Sequence, residues 1–342
     1  MGRNGDSSSR TPELAPVALP LRTEAQIVES WSATAPVVSV LCSTYQHVNF
    51  IADAIRGFLG QVTEFPFEVL IRDDGSVDGS ADIVRDYSER YPLIIRSVLE
   101  PKNTYSSRSP GETLRPLAVG EYVAACEGDD YWVDATKLQR QVDALREDDR
   151  AFTSFHSCFV TIDGVVAGIT GKSARRIPER GAYLAVSRIP TLSMLYRNQP
   201  RYPIQQRPRL PHGDVFLKSW LIKQGAAIRL PGPPAGVYRR HAGSVTSRAG
   251  ADPMQTILDT VESEVRAAKY FADSGDRDIA EELLALSAIT IIEAHDLTDV
   301  NPRRRVSARV NPAARAIHRA RGQLRSSAWA NRIYRSAASR KF

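Results

Sequence analysis

Between residues 37 and 127 the chain alternates short apolar runs with amphipathic stretches, and that alternation leaves few folds open. VVSVLCSTY (37–45) is a β-branched run, the pattern of a strand buried on both faces. Phe50, Ile51, Ala54, Ile55, Phe58 and Leu59 follow at helical spacing and predict a helix over 47–61. PFEVLIR (66–72) reads as a second strand. Gly75 and Gly79 then bracket a turn, and Ile83, Val84 and Tyr87 carry a helix to about Arg90. LIIRSVLE (93–100) and EYVAACE (121–127) read as a third and a fourth strand. Strands that alternate with helices argue for a mostly parallel α/β sheet covered by helices.

Further along, Leu138, Val142 and Leu145 predict a helix near 135–147. FTSFHSCFVTID (152–163) and VVAGIT (165–170) read as a hairpin turning at Asp163-Gly164. Residues 171–212, rich in Pro and Arg, read as irregular, and a helix follows Asp214. Residues 254–272 and 277–296 read as two amphipathic helices. The expected organisation is a flexible leader over 1–34, a catalytic-type α/β domain over 35–250, a helical extension over 251–299 and a basic tail over 300–342.

Two of the strands end in acid clusters, Arg72-Asp73-Asp74-Gly75-Ser76 and Glu127-Gly128-Asp129-Asp130-Tyr131-Trp132. In open α/β sheets ligands bind beyond the carboxyl ends of the strands. Three carboxylates within four residues repel one another, and a divalent cation would relieve that. In an extended segment residues i and i+2 point the same way, so Glu127 and Asp129 can face one ion. Oxygen ligands suit Mg²⁺ or Mn²⁺, which commonly hold substrate phosphates as well. Asp73, Asp78 and Asp130 also suit plain Asx turns or helix caps.

The stretches VSVLCSTYQHVNFIADAIRGFLGQ, FEVLIRDDGSVDGSADIVRDY, GEYVAACEGDDYWVDATKLQRQVDAL, HGDVFLKSWLIKQG and VYRRHAGSV, in that order over about residues 36–247, resemble family 2 glycosyltransferases. The resemblance implies a GT-A type nucleotide-binding sheet flanked by helices, with a C-terminal helical extension. It also implies inverting transfer from a nucleotide-diphospho-sugar, UDP-linked by default, to a glycan, lipid-linked or small-molecule hydroxyl. By the same resemblance Thr44, Tyr45, Asp73, Asp74, Asp130 and Arg239 fall at the donor nucleotide. Glu127 and Asp129 stand at the Asp-x-Asp metal motif, His241 stands near the metal and diphosphate, and Asp214 stands at the catalytic base. One carboxylate suffices for inversion, because the acceptor hydroxyl needs one base as it attacks. Asp214, just before a helix, equally suits an N-cap. Residues 190–194 fall where the family varies to fit its acceptors.

Composition and charge narrow the setting. No run of about 18 apolar residues occurs, and the first twenty residues hold no apolar signal core. Cys42, Cys126 and Cys158 form no CxxC pair and read as reduced, buried strand residues of a cytoplasmic protein. The net charge is +6, yet all twelve basic residues after Asp299 stand without an acid, so residues 1–299 carry −6. The high pI is thus a property of the tail and does not make the body a nucleic-acid binder. Leu324, Trp329, Ile333 and Tyr334 are interspersed among those arginines, a pattern that suits the anionic inner face of a membrane, a partner protein, or a solvated tail with no partner. No Gln-x-x-Arg-Trp motif is present, which points to a non-processive enzyme. The first strand lacks the GxGxxG turn of dinucleotide enzymes. It also lacks the Gly-rich, Arg-containing loop of nucleotidylyltransferases. The remaining alternative is a non-catalytic sugar-nucleotide or glycan-binding module with a decayed site.

Overall fold

The computed structural model describes residues 13–172, 174–180, 183–199, 201–242 and 253–298. The basic tail over 300–342 lies outside the described residues. The chain divides into two compact units at Leu284/Ala285, and the first holds both sheets.

The alternating half folds as its pattern dictates. Strands β1 (Val38–Thr44), β2 (Phe67–Asp73), β3 (Ile95–Leu99) and β4 (Tyr122–Ala125) are parallel, in the order β3-β2-β1-β4. Helices α2 (Ile51–Leu59) and α3 (Ser80–Arg90) carry the crossovers. Val40 and Cys42 on one face of β1 and Ser39 on the other are buried, as are Val69 and Ile71 on one face of β2 and Leu70 on the other, which is the burial that a two-sided cover predicts. The order reverses between β1 and β4, so a crevice opens beyond their carboxyl ends.

Beyond β4 the large sheet continues β10-β6-β11-β9, from β10 (Met194–Arg197), β6 (Ala151–Phe155), β11 (Ala226–Arg229) and β9 (Arg176–Ile177). β10 is antiparallel to both of its neighbours. A second sheet runs β5-β12-β7-β8, from β5 (Tyr131–Trp132), β12 (Gly236–Arg240), β7 (Cys158–Ile162) and β8 (Val165–Thr170). Helix α5 (Lys137–Glu147) packs on β6, and α7 (Gly213–Gln224) packs on β6 and on α8 (Pro253–Asp273). The last helix, α9, spans Arg277–Thr298.

Three expectations need correction. The apolar run 152–163 is not one strand: it breaks at His156-Ser157, so that β6 joins the large sheet and β7 the small one. Its hairpin partner β8 and the positive-φ turn at Asp163-Gly164 are as expected. The segment 171–212 contains β10, a central strand, and the short helix α6 (Tyr183–Ser187). Residues 13–34 are not a free leader. They include the capped helix α1 (Glu24–Val28), whose Ile27 is 1% exposed. Arg22 donates to Gln61 O, Tyr91 to Arg22 O, and Leu14 bridges Val165. Residues 1–12 lie outside the described residues.

Candidate active site

Every acid singled out in the two clusters gathers at the mouth of the crevice, but the acids do different work there. Asp73 is fully buried, and its Oδ1 accepts the Ser76 N–H at 2.8 Å, closing the turn after β2. Gly75 in that turn has φ 75°, and a Cβ there would meet the Lys102 backbone at 2.4 Å. Asp74 is 5% exposed. Its Oδ1 takes Arg72 Nη2 at 2.5 Å, the Thr104 N–H at 2.9 Å and Thr104 Oγ1 at 3.0 Å. Arg72, 1% exposed, also reaches Glu100 at 3.3 Å.

At the end of β1, Thr44 is 3% exposed, and its buried Oγ1 has no hydrogen-bond partner among the described residues. Tyr45 is 36% exposed at the rim. Gly128 is required next to Thr44, because a Cβ would stand 2.7 Å from Thr44 Oγ1. The Gly128 N–H donates to Ser43 O at 2.8 Å, so the second acid cluster is laid directly on the end of β1.

Within that cluster Asp129 faces two imidazoles. Its Oδ2 lies 3.3 Å from His241 Nε2 and 3.8 Å from His47 Nε2. The His241 ring packs on Phe50 with centroids 4.3 Å apart. His47 went unnoticed in the sequence, where its only signal is its place two residues past Tyr45. It is aimed by a braced loop: Gln46 has φ 57°, its N–H donates to Ser76 Oγ, and the His47 N–H donates to Ser80 Oγ. A non-glycine residue held at positive φ by several bonds is a feature of functional loops.

Asp130 is 2% exposed, and its Oδ1 accepts the Arg239 N–H at 2.8 Å. Its place is therefore inside the wall, tying the acid turn to β12. Arg239 is likewise committed. Its guanidinium bonds Asp53 and the Asp129 carbonyl and lies 4.0 Å over the Tyr131 ring. Trp132 is buried, with Nε1 donating to Leu192 O, so it packs rather than meeting a ligand.

Glu127 stands within electrostatic reach of Asp129, Asp214 and Lys218. Burial, and then Asp129, push its carboxyl up to about 7. Burial likewise raises Asp130 well above the carboxylate range, with Asp129 and Glu127 adding to it. Beyond burial, both shifts record the mutual repulsion of the acid turn, which a nearby cation would reduce.

Asp214 is not a cap. His212 is the N-cap of α7, and Asp214 lies in the first turn, paired to Lys218 Nζ at 2.8 Å. Desolvation raises its carboxyl, but Lys218, with His212 and a backbone hydrogen bond, holds it below the ordinary value. Tyr105, 56% exposed, reaches Asp214, Asp74 and Glu127 electrostatically from the loop after β3. Within residues 190–194, Pro190 and Thr191 are half-buried and the other three are inside. Leu192, Ser193 and Met194 are at most 1% exposed, so they shape the core.

Among the described residues no group of three or more His, Cys, Asp or Glu side chains is arranged to hold a metal ion on its own. Asp129 and His241 still fit a hard cation of the Mg²⁺ or Mn²⁺ kind. Such ions commonly take one or two carboxylates and complete their shell with water and substrate phosphate. All three cysteines are free and buried.

The chain is similar to several known proteins. Residues 39–196 match the model of glycosyl transferase family 2. An uncharacterized protein of Mycobacterium tuberculosis (strain H37Rv) is 36% identical over 217 residues, 63% of this chain and 62% of that one. The match thus spans about three fifths of that relative's length. The Escherichia coli UDP-Glc:alpha-D-GlcNAc-diphosphoundecaprenol beta-1,3-glucosyltransferase WfaP is 26% identical over 215 residues, 62% of this chain and 80% of that protein. Staphylococcus aureus TarS 1–349, solved in complex with UDP-GlcNAc, superposes with TM-score 0.55 at 18% identity, over 73% of this chain and 71% of that one. At that identity the likeness establishes the fold, which is GT-A.

Proposed function

We propose, from the match of residues 39–196 to glycosyl transferase family 2, that the chain transfers a sugar, with inversion, from a nucleotide-diphospho-sugar to a hydroxyl acceptor. One observation carries the reading. The acid turn 127–130, Asp129 with its two histidines, and Asp214 converge beyond the carboxyl ends of β1 and β4.

The roles follow from the geometry. The three contacts of Asp74 fall on Oδ1, which leaves Oδ2 for a bound nucleoside. Tyr45 at the rim offers a ring to stack on the base. Thr44, with its unpaired hydroxyl, completes that side. Asp129 and His241 would hold Mg²⁺ or Mn²⁺ against the diphosphate, with Glu127 adding negative charge beside them. That ion, when bound, stabilises the charge developing on the departing nucleoside diphosphate. Asp214 takes the proton of the acceptor hydroxyl as that oxygen attacks the anomeric carbon. Asp73, Asp130 and Arg239 act indirectly, by fixing the two acid turns and β12.

The name of the E. coli relative describes an acceptor carried on diphosphoundecaprenol. A lipid-linked acceptor in cell-surface glycan synthesis is the reading we adopt here. Among the described residues no helix is long and apolar enough to cross a membrane. The twelve basic residues after Asp299 would instead hold the enzyme at an anionic inner surface.

The test is release of nucleoside diphosphate from a panel of UDP-, GDP-, CDP- and TDP-sugars with Mn²⁺, with and without lipid-linked acceptors. Turnover of at least one donor is expected. Binding of a donor without turnover under any condition would leave the decayed binding module as the better reading.

A further inference from the structure

Lys218 lies one helical turn after Asp214 on α7, with Nζ 2.8 Å from Asp214 Oδ2. Acid–lysine pairs four residues apart are common on exposed helix faces and contribute little there. This pair is different, because the Lys218 side chain is only 6% exposed whereas that of Asp214 is 42% exposed. A buried ammonium is tolerated only when its bonds are made. Here they go to Asp214 and to the Ser187 carbonyl at 3.3 Å.

Ser187 ends α6, and at the other end of α6 the Tyr183 hydroxyl donates to Val215 O, one residue past Asp214. The α6 helix therefore meets α7 at Val215, next to Asp214, and again at Lys218, one turn on. Other titratable groups face Asp214 from several directions: Glu127 from the end of β4, Tyr105 from the loop after β3, Tyr183 from α6 and His212 at the head of α7. Glu127 disfavours a second negative charge. Among the described residues Lys218 is the one side chain that forms a salt bridge with Asp214.

We propose that Lys218 is a positioning residue for the transfer, fixing Asp214 through Oδ2 so that Oδ1 remains to take the acceptor's proton. The inference rests on Asp214 being the base. In the step concerned, the acceptor O–H bond breaks and its proton passes to Oδ1. The acceptor oxygen forms its bond to the anomeric carbon as the carbon–phosphate oxygen bond breaks, and that electron pair leaves on the nucleoside diphosphate. Lys218 touches none of the reacting atoms. It keeps one carboxylate oxygen and one rotamer committed while the other oxygen works.

The experiment is a double-mutant cycle with Lys218→Met, Lys218→Arg, Asp214→Asn and the double variant. It measures kcat, KM, nucleotide affinity and melting temperature. Lys218→Met should lower kcat by about 10- to 100-fold, a share of what a general base supplies. Nucleotide affinity should stay within about twofold, since the pair is remote from the donor in role. Lys218→Arg should recover most of the loss. In the Asp214→Asn background the Met substitution should change residual transfer no further. Lys218→Gln, which keeps a donor without the charge, serves the same cycle if the Met variant does not fold. An unchanged kcat in folded Lys218→Met, or an equal further loss on top of Asp214→Asn, overturns the proposal. Full transfer by Asp214→Asn alone would overturn it too, and would place the fault in the base assignment rather than in the ion pair.

Discussion

Asp129 Oδ2 and His241 Nε2 lie 3.3 Å apart although 112 positions separate them in the chain. Their meeting depends on both sheets. Asp129 follows β4 of the large one and His241 follows β12 of the small one, and the Asp130–Arg239 backbone bond fastens the two together. The end of the crevice proposed for the diphosphate is thus built where the sheets are joined.

Asp214→Asn should leave nucleotide binding within about twofold and lower transfer by about 10²- to 10⁴-fold, the usual share of a general base. The measurement is steady-state transfer alongside nucleotide affinity. Persistent transfer would refute the assignment.

Gly128→Ala should damage the site by crowding. The added methyl would stand 2.7 Å from Thr44 Oγ1 and 2.8 Å from Thr44 Cβ, both on a buried strand end. Overpacking of this kind costs about 1–3 kcal/mol. A lowered melting temperature together with weakened nucleotide binding is expected. A variant with both unchanged would show that the acid turn is not seated on β1 as described.

Stability should fall on acidification through His156. This residue is fully buried where the chain crosses from β6 to β7, and neither ring nitrogen has a hydrogen-bond partner. Burial first, then Lys137 and Arg140, push it down to about 3. The unfolded chain, titrating near about 6.5, therefore binds the proton that the folded one refuses, and stability drops as pH falls from about 6.5 toward 3. The slope for one such group approaches about 1.4 kcal/mol per pH unit. Lys137, pushed down to about 7 by burial, adds its own dependence above that window. Denaturant unfolding at pH 7, 6 and 5 measures the effect. His156→Leu should flatten the profile, and an equally steep profile in the variant would assign the effect elsewhere.

Removing residues 301–342 should abolish binding to anionic vesicles and spare donor hydrolysis. Each basic residue near such a surface contributes about 1 kcal/mol at low salt. Cosedimentation with vesicles of mixed anionic and neutral lipid measures it, and undiminished binding would refute the membrane role.

The sequence made the parallel half of the fold plain, because the apolar runs of β1, β2 and β4 alternate with helical spacing. It misled at 152–163, where a continuous apolar run conceals a change of sheet. Hydrophobicity marks a residue as buried without saying against what. β10 was missed because its four residues sit in a Pro- and Arg-rich stretch, and β12 because Arg239 and Arg240 give it a polar look. The acids of the site were legible as clusters, yet their division of labour was not. Turn or cap roles were legible for Asp73 and Asp130, and the fold shows Asp73 closing the turn after β2 while Asp130 holds β12 instead. Lys218 was there to be read, four residues past Asp214, whereas His47 and Tyr105 reach the site through loops that no periodicity predicts.

The most direct test of the account is a thermal-shift panel of UDP, GDP, CDP and TDP, each with and without Mn²⁺, on the wild-type chain and on Asp129→Ala. A ligand at a hundred times its dissociation constant stabilises by about 2.7 kcal/mol, enough to move the melting temperature visibly. The account predicts a shift for at least one nucleotide that requires Mn²⁺ and disappears in Asp129→Ala. A nucleotide shift that is the same without Mn²⁺, or that survives in Asp129→Ala, would contradict the placing of the diphosphate and its ion at Asp129 and His241.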